Sequence, residues 1–274
     1  MIDTKFSRSF FTSLFAALLL SGCGSADVGE LIDEALVGEH RTPAYVERDS
    51  FRNPKETLLF FGLSTEQSVV EITPGFGWYA EILAPLFRDA GQYYYTSYTL
   101  HDDINPYFVR VEKAFKEKMA LNPDVYNNLK WIHFDPMQPD LAPDGPVDMV
   151  LTFRNVHNWA KAGTAESMFS GFASALKPGG VMGLVEHRAK PGTPLDEQIR
   201  SGYMTVEYVV QMAEDAGFRL DASSEINANP KDTTDHPGGV WNLLPNLRNV
   251  ADEEKAAISA IGESDRMTLR FVKE

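Results

Sequence analysis

From Ser68 onward, short runs rich in β-branched and aromatic residues take turns with helical stretches, and this alternation narrows the possible folds more than any other feature of the chain. Ser68-Val69-Val70-Glu71-Ile72 reads as a strand, residues 77–87 as a helix with Tyr79, Ile82, Leu83 and Leu86 on one side, and residues 92–96 as a second strand. An amphipathic helix over 107–120 bears Phe108, Val111, Phe115 and Met119, and strands follow at 130–134 and 146–153. A helix over 164–175 leads through Leu176-Lys177-Pro178-Gly179-Gly180 into a strand at 181–186. A helix over 205–216 leads into Phe218-Arg219-Leu220, and alternation at 267–272 marks a last strand. Strands separated by helices need crossover connections, so a mainly parallel α/β sheet covered on both faces is expected. With 274 residues, 43% of them hydrophobic, the chain can bury such a core.

Two segments precede this region. Met1 to Gly22 carries Lys5 and Arg8 and then the apolar run Phe10–Leu20, too short for a permanent membrane span but of the length of a signal-peptide core. Leu20-Ser21-Gly22-Cys23 resembles the lipobox of bacterial lipoproteins. The resemblance implies cleavage before Cys23, acylation of that residue and stable anchoring through several acyl chains. Gly24 after the cysteine is similar to the pattern that sends lipoproteins to an outer membrane. The expected location is therefore the cell envelope, facing the periplasm; the alternative is an ordinary secretory signal with an incidental cysteine. Residues 24–57 place Val28, Leu31, Ile32, Ala35 and Leu36 at helical spacing, and Asn53 caps a short helix that begins at Pro54 and ends at Gly62. The expected division is a signal segment at 1–22, a lead-in at 23–57 that packs on the domain, and the α/β domain at 58–274.

Charge and cysteine count exclude several function classes. Thirty-nine Asp and Glu against 25 Lys and Arg give a net charge of -14, which disfavours a nucleic-acid partner because phosphate backbones are held by clustered cations. One cysteine makes neither an intramolecular disulfide nor a Cys-based zinc site. Glu186 and His187, taken with His157 and Asp148, match no recognised ligand spacing, so no metal is expected.

After the first strand the chain reads Thr73-Pro74-Gly75-Phe76-Gly77 and enters a helix, a turn that lets backbone approach a ligand at the carboxyl ends of parallel strands. A tight turn with no ligand would need its glycines too. The order of four signals resembles the Rossmann-like class I methyltransferases that use S-adenosylmethionine: Val70–Gly77 at the glycine-rich first motif, Pro146–Leu151 at the fourth strand, Leu176–Gly180 before the fifth, and Ala216–Leu220 before a closing antiparallel hairpin. More narrowly, Pro74–Pro85, Asn155-Val156-His157-Asn158-Trp159 and Asp265–Phe271 are similar to a group of exported bacterial methyltransferases. The resemblance covers about residues 50 to 274. It implies a doubly wound, mainly parallel seven-stranded sheet with an antiparallel C-terminal strand, and S-adenosylmethionine as methyl donor to a small acceptor.

Carried over residue by residue, the resemblance implies that Glu71 supports the turn, that Gly75 and Gly77 pass under the methionine part of the cofactor, that Thr73 and Ser97 also stand at cofactor-binding positions, and that Asp135 sits near the adenine. Asn155 would face the methyl group. The chain departs from the family at Thr73, where the first glycine usually stands, and at Ser97, where the second strand usually ends in an acid that binds the ribose; Asp102 and Asp103 lie nearby. Methyl transfer asks for alignment of the nucleophile and removal of its proton. His157 is the expected base, with His187 and His236 as further histidines, and Trp78, Trp159 and His187 as walls of the acceptor pocket. Two other readings stay open: a binding module that keeps the fold without catalysis, and a nicotinamide oxidoreductase, disfavoured by the missing third glycine and missing strand-two acid.

Overall fold

A computed structural model describes Met1 and residues 27–274. Cys23 and the signal segment lie outside the described residues. A lead-in of α1 (Val28–Leu36), α2 (Pro43–Val46), α3 (Asp49–Arg52) and α4 (Pro54–Phe61) precedes β1 (Ser68–Ile72), α5 (Ala80–Leu86), β2 (Gln92–Tyr98), α6 (Pro106–Leu121), α7 (Pro123–Tyr126) and β3 (Leu129–Phe134). There follow β4 (Val147–Phe153), α8 (Val156–Ala162), α9 (Ala165–Ala175), β5 (Leu176–His187), α10 (Leu195–Ser201), α11 (Val206–Asp215), β6 (Phe218–Ser224), a 3-10 turn at Gly239–Asn242, α12 (Lys255–Ser259) and β7 (Arg266–Lys273). Among the described residues, no helix is long and apolar enough to cross a membrane.

The seven strands form one sheet in the order β3-β2-β1-β4-β5-β7-β6. Pairs β1–β2, β1–β4, β2–β3 and β4–β5 are parallel, and β7 runs antiparallel to both β5 and β6. Strand order reverses between β1 and β4, which opens a crevice beyond their carboxyl ends.

Strand side chains alternate between the sheet faces, so two cores result. On one face Val70, Ile72, Val150 and Met182 meet Met168, Phe169 and Phe172 of α9 and Val209 and Ala213 of α11. On the other, Val69, Tyr93, Tyr95, Met149 and Leu151 meet Ile82 and Leu83 of α5, Phe115 of α6 and, from the lead-in, Ile32, Ala35, Leu58 and Phe61. The lead-in helices thus share the main core. Gly183 on β5 makes room for α4, since a Cβ there would stand 2.6 Å from the Phe61 ring.

Local differences from the sequence reading have physical causes. The helix expected from residue 77 begins at Ala80, because the backbone turns through positive φ at Gly75 (63°) and Gly77 (82°) first. Asn53 does not cap α4 through its side chain; it sits at φ 39° and its amide donates to the Ile226 carbonyl at 2.7 Å. Leu176–Gly180 is the first part of β5 rather than a separate turn, with Leu176 paired to Val147 before the register shifts. Helices α2, α3, α7, α8, α10 and α12 went unread because runs of four to seven residues are shorter than the window in which periodicity can be recognised.

Candidate active site

A cleft of about 1240 Å³ opens at the carboxyl ends of β1, β2, β3, β4 and β5. Its wall contains Glu71, Thr73, Gly75, Trp78, Ser97, Asp135, Asn155, His157, Trp159 and His187, so most of the site residues read from the sequence converge on it. Among the turn residues, Gly77 stays outside it. A Cβ at Gly77 would stand 2.3 Å from the Phe115 ring, so this glycine admits α6 against the turn and does not face the cleft. Gly77→Ala is expected to lower the unfolding free energy by about 1–3 kcal/mol, from overpacking plus a strained positive φ, as read by urea denaturation.

The turn after β1 is held from several sides. Thr73 takes φ 42° and its N–H donates to Thr96 Oγ1 at 2.9 Å, while Tyr95 donates its hydroxyl to the Gly75 carbonyl at 2.5 Å and stacks on Phe115. The Thr73 hydroxyl is buried with no hydrogen-bond partner and lies on the cleft wall. Asn155 spans β4 and β1: its amide donates to the Ile72 carbonyl at 2.9 Å and to Thr152 Oγ1 at 3.2 Å.

Glu71 does not brace the turn with its carboxyl group. That group accepts the Tyr93 hydroxyl at 2.5 Å, and burial pushes its pKa up to about 8. A carboxyl group raised above its unfolded value of 4.5 contributes stability that is fully present below pH 4.5 and is lost as pH rises through 8. At about 1.4 kcal/mol per pH unit, Glu71→Gln is expected to remove a decline of a few kcal/mol between those limits, seen as a flatter pH profile of the urea midpoint.

Ser97, next to last in β2, lies on the cleft wall, but its hydroxyl already accepts from Trp131 Nε1 at 2.8 Å and donates to Glu112 Oε2 at 3.3 Å. Glu112 lies outside the cleft lining, as do the exposed Asp102 and Asp103. Asp135 stands at the lip, its carboxylate accepting the Met137 N–H at 2.8 Å. Trp78 is 5% exposed, donates Nε1–H to the Tyr45 carbonyl and carries the Arg52 guanidinium over its ring at 4.6 Å. Trp159 is 1% exposed and packs on Phe169 and Phe172, so most of it belongs to the core; its Nε1–H donates to the Tyr98 hydroxyl at 3.1 Å.

His157 lies in the first turn of α8 and His187 ends β5; their rings are 5.3 Å apart. Between them the fully buried Glu186 accepts the His157 Nδ1–H at 3.1 Å, the His157 backbone N–H at 3.3 Å and the His187 backbone N–H at 2.8 Å. The carboxylate fixes the tautomer of His157 and leaves Nε2 with the lone pair, which is how a general base is oriented. His187 Nδ1 bonds Ser264 Oγ at 2.5 Å, and burial followed by the charges of His157, Arg266, Arg154 and Arg52 holds its pKa well below the ordinary value. His236 lies on Asp232 in a separate loop, outside the cleft lining.

Donor atoms of His157, Glu186 and His187 all lie within 4.8 Å of one another, a grouping that linear spacing did not reveal. Asp148 is not part of it, being bound to Ser68 and Lys177 at the other end of β4. The hydrogen bonds already accepted by Glu186, and the three arginines acting on His187, favour a positioned base over a site for a dication.

One group of charged side chains beside the cleft escaped the sequence reading. Arg48 and Arg52 from the lead-in and Arg266 from β7 share one carboxylate, Glu263, at 2.6 Å, at 3.1 Å and through the Arg266–Glu263 pair. Arg154 follows β4 directly, at φ 62°. Its position beside Asn155 and His157 was the available signal, but arginine is so common on surfaces that nothing in the local pattern singles it out.

Neither a family model nor a curated protein sequence matches the chain. Solved structures do match it in shape. An S-adenosylmethionine-dependent methyltransferase from Aquifex aeolicus aligns with a TM-score of 0.55 at 14% identity, over 90% of this chain and 98% of the other. The fold is that of the class I methyltransferases. The glycopeptide N-methyltransferase MtfA shares it, with a TM-score of 0.52 in its complex with S-adenosyl-L-homocysteine (14% identity; 89% and 96% covered) and 0.51 in its complex with S-adenosyl-L-methionine (14%; 82% and 95%).

Proposed function

We propose that the chain transfers a methyl group from S-adenosylmethionine to a small acceptor. The observation that carries this reading is the convergence of the Thr73–Gly75 turn, Ser97, Asp135, Asn155 and the Glu186-oriented His157 on one cleft at the strand-order reversal of a class I methyltransferase fold. The residues suit the cofactor: the turn is open at Gly75, where a Cβ would find only the Tyr107 hydroxyl at 4.0 Å, and Thr73 offers an unpartnered buried hydroxyl. When bound, the cofactor supplies a methyl group on a sulfonium, activated toward in-line displacement. The turn and Asn155 bind and align, Trp78 and the aromatic wall exclude water, and His157 Nε2 takes the acceptor's proton while Glu186 holds the ring. Incubation with methyl-labelled S-adenosylmethionine and a small-molecule extract is expected to label a product. A wild-type reaction that labels nothing in any fraction would oppose the reading.

A second reading, a binding module without catalysis, draws on one observation: Ser97 replaces the acid expected near the end of β2, and its hydroxyl is spent on Glu112 and Trp131 rather than left for a ribose. In either reading the domain works at the cell envelope, anchored through a lipid on Cys23 and facing the periplasm. Metabolic labelling with a palmitate analogue checks the anchor, with label expected on the wild type and none on Cys23→Ala; label retained in the variant would contradict it.

A further inference from the structure

We propose that the acceptor carries an oxyanion group, a carboxylate or phosphate, and that Arg154, backed by Arg52, receives it beside His157. The term acceptor rests on the methyl-transfer reading; the anion site does not.

The charge balance of the cleft is opposite to that of the chain. In a protein of net charge -14, the cleft wall carries Arg52, Arg154, Lys161 and Arg248 as cations, against Asp135 at the lip and Glu71, whose carboxyl group burial pushes up to about 8. Behind the wall, Arg48 and Arg266 add two further guanidiniums, and the carboxylates facing this group are Glu263 and Glu186. Glu263 is divided among Arg48, Arg52 and Arg266. Glu186 is occupied by His157 and two backbone N–H groups.

Of the cleft-wall guanidiniums, the two that are withdrawn from solvent are left incomplete. The Arg52 side chain is 3% exposed, lines the cleft, and has a buried Nη2 with no partner. The Arg154 side chain makes no hydrogen bond or ion pair among the described residues, and burial followed by Arg266 brings it down to about 10. Its left-handed backbone is held by its own N–H, which donates to the Val185 carbonyl at 2.7 Å. An unpaired guanidinium in a strained position on a cleft wall costs stability and is characteristic of a functional site, where a ligand supplies the missing charge. The planar fork of arginine matches carboxylate and phosphate oxygens. A bound oxyanion at Arg154 would place the rest of the molecule toward His157, three residues on at the start of α8.

The test uses the full chain, with and without saturating S-adenosylhomocysteine, titrated calorimetrically with benzoate, inorganic phosphate and, as the neutral control, benzamide. Benzoate or phosphate is expected to bind wild type and benzamide is not. Arg154→Gln is expected to weaken the anion about tenfold or more, and Arg154→Lys to keep part of the affinity. Arg154→Gln is also expected to melt higher than wild type in anion-free buffer, because it relieves repulsion with Arg266 and Arg48, so loss of binding cannot be assigned to misfolding. Absence of anion binding at concentrations on the order of tens of millimolar, or equal binding by Arg154→Gln, would overturn the proposal. It would also be overturned if Arg154→Gln weakened S-adenosylhomocysteine but not methylthioadenosine, which lacks the amino-acid carboxylate, since Arg154 would then serve the cofactor. Anion binding that depends on Arg154 in a protein that ignores S-adenosylhomocysteine would keep the site and discard the methyl-transfer reading.

Discussion

Replacing His157 with alanine is expected to slow methyl transfer by about 10²–10⁴-fold, the range lost when a positioned general base is removed. The geometry makes the effect specific to the chemical step. His157 contributes its ring to the cleft and its backbone N–H to Glu186, so the variant keeps the backbone contact and loses Nε2. Affinity for S-adenosylhomocysteine should change little, and the single-turnover rate with labelled donor should fall. Glu186→Gln should slow the reaction as well, but through the position of His157. Its one remaining oxygen cannot accept the three hydrogen bonds that two oxygens share, and an amide N–H would face donors. An unchanged single-turnover rate in His157→Ala would remove the base from the mechanism.

Glu263→Gln is expected to cost about 3–5 kcal/mol of unfolding free energy, the usual range when one partner of a buried ion pair is removed. Glu263 is 2% exposed and is the shared partner of Arg48, Arg52 and Arg266. Burial alone would raise its pKa, yet Arg266, Arg52, Arg154 and Arg48 together hold it well below the ordinary carboxylate range. A carboxylate depressed below its unfolded value of 4.5 contributes stability that is present above pH 4.5 and lost as pH falls through the folded value. His187, held below its ordinary 6.5, acts in the same direction, its contribution present above pH 6.5 and declining below it. Below pH 4.5, where the gain from protonating Glu71 is complete, the wild type should therefore lose stability on acidification, and Glu263→Gln should have a lower urea midpoint at pH 7 and a shallower acid slope. Adding Arg154→Gln to Glu263→Gln should recover part of the loss, since the two act on one electrostatic group. A midpoint unmoved by Glu263→Gln would show that the four arginines do not depend on it.

The fold was legible because strand and helix periods alternate from Ser68 and because the glycine turn marks the first crossover. Strands β1, β3 and β4 fall within one residue of their expected bounds. The site was legible only where it follows the chain. Thr73, Ser97, Asp135 and Asn155 sit just past or at strand ends, and a parallel sheet brings such ends to one edge. What the sequence could not show is the part assembled across it. Glu263 and Arg52 are paired across 211 residues and His187 and Ser264 across 77, and no local pattern announces either. Ser97 shows the same limit from the other side, since a serine at the end of β2 reads as a free hydroxyl until Trp131 and Glu112 are seen on it. Gly77 reads as a ligand-facing glycine until α6 brings Phe115 against it.

A cleft beyond β1, β2 and β4 that holds S-adenosylmethionine must also hold its demethylated product. Calorimetric titration of the purified chain with S-adenosylhomocysteine tests it most directly, with Gly75→Val as the control, because a side chain at φ 63° would strain the turn and project toward the cofactor. Saturable binding of one ligand per chain by wild type is expected, with strongly weakened binding by Gly75→Val. No binding to folded wild-type protein at concentrations on the order of millimolar would contradict it.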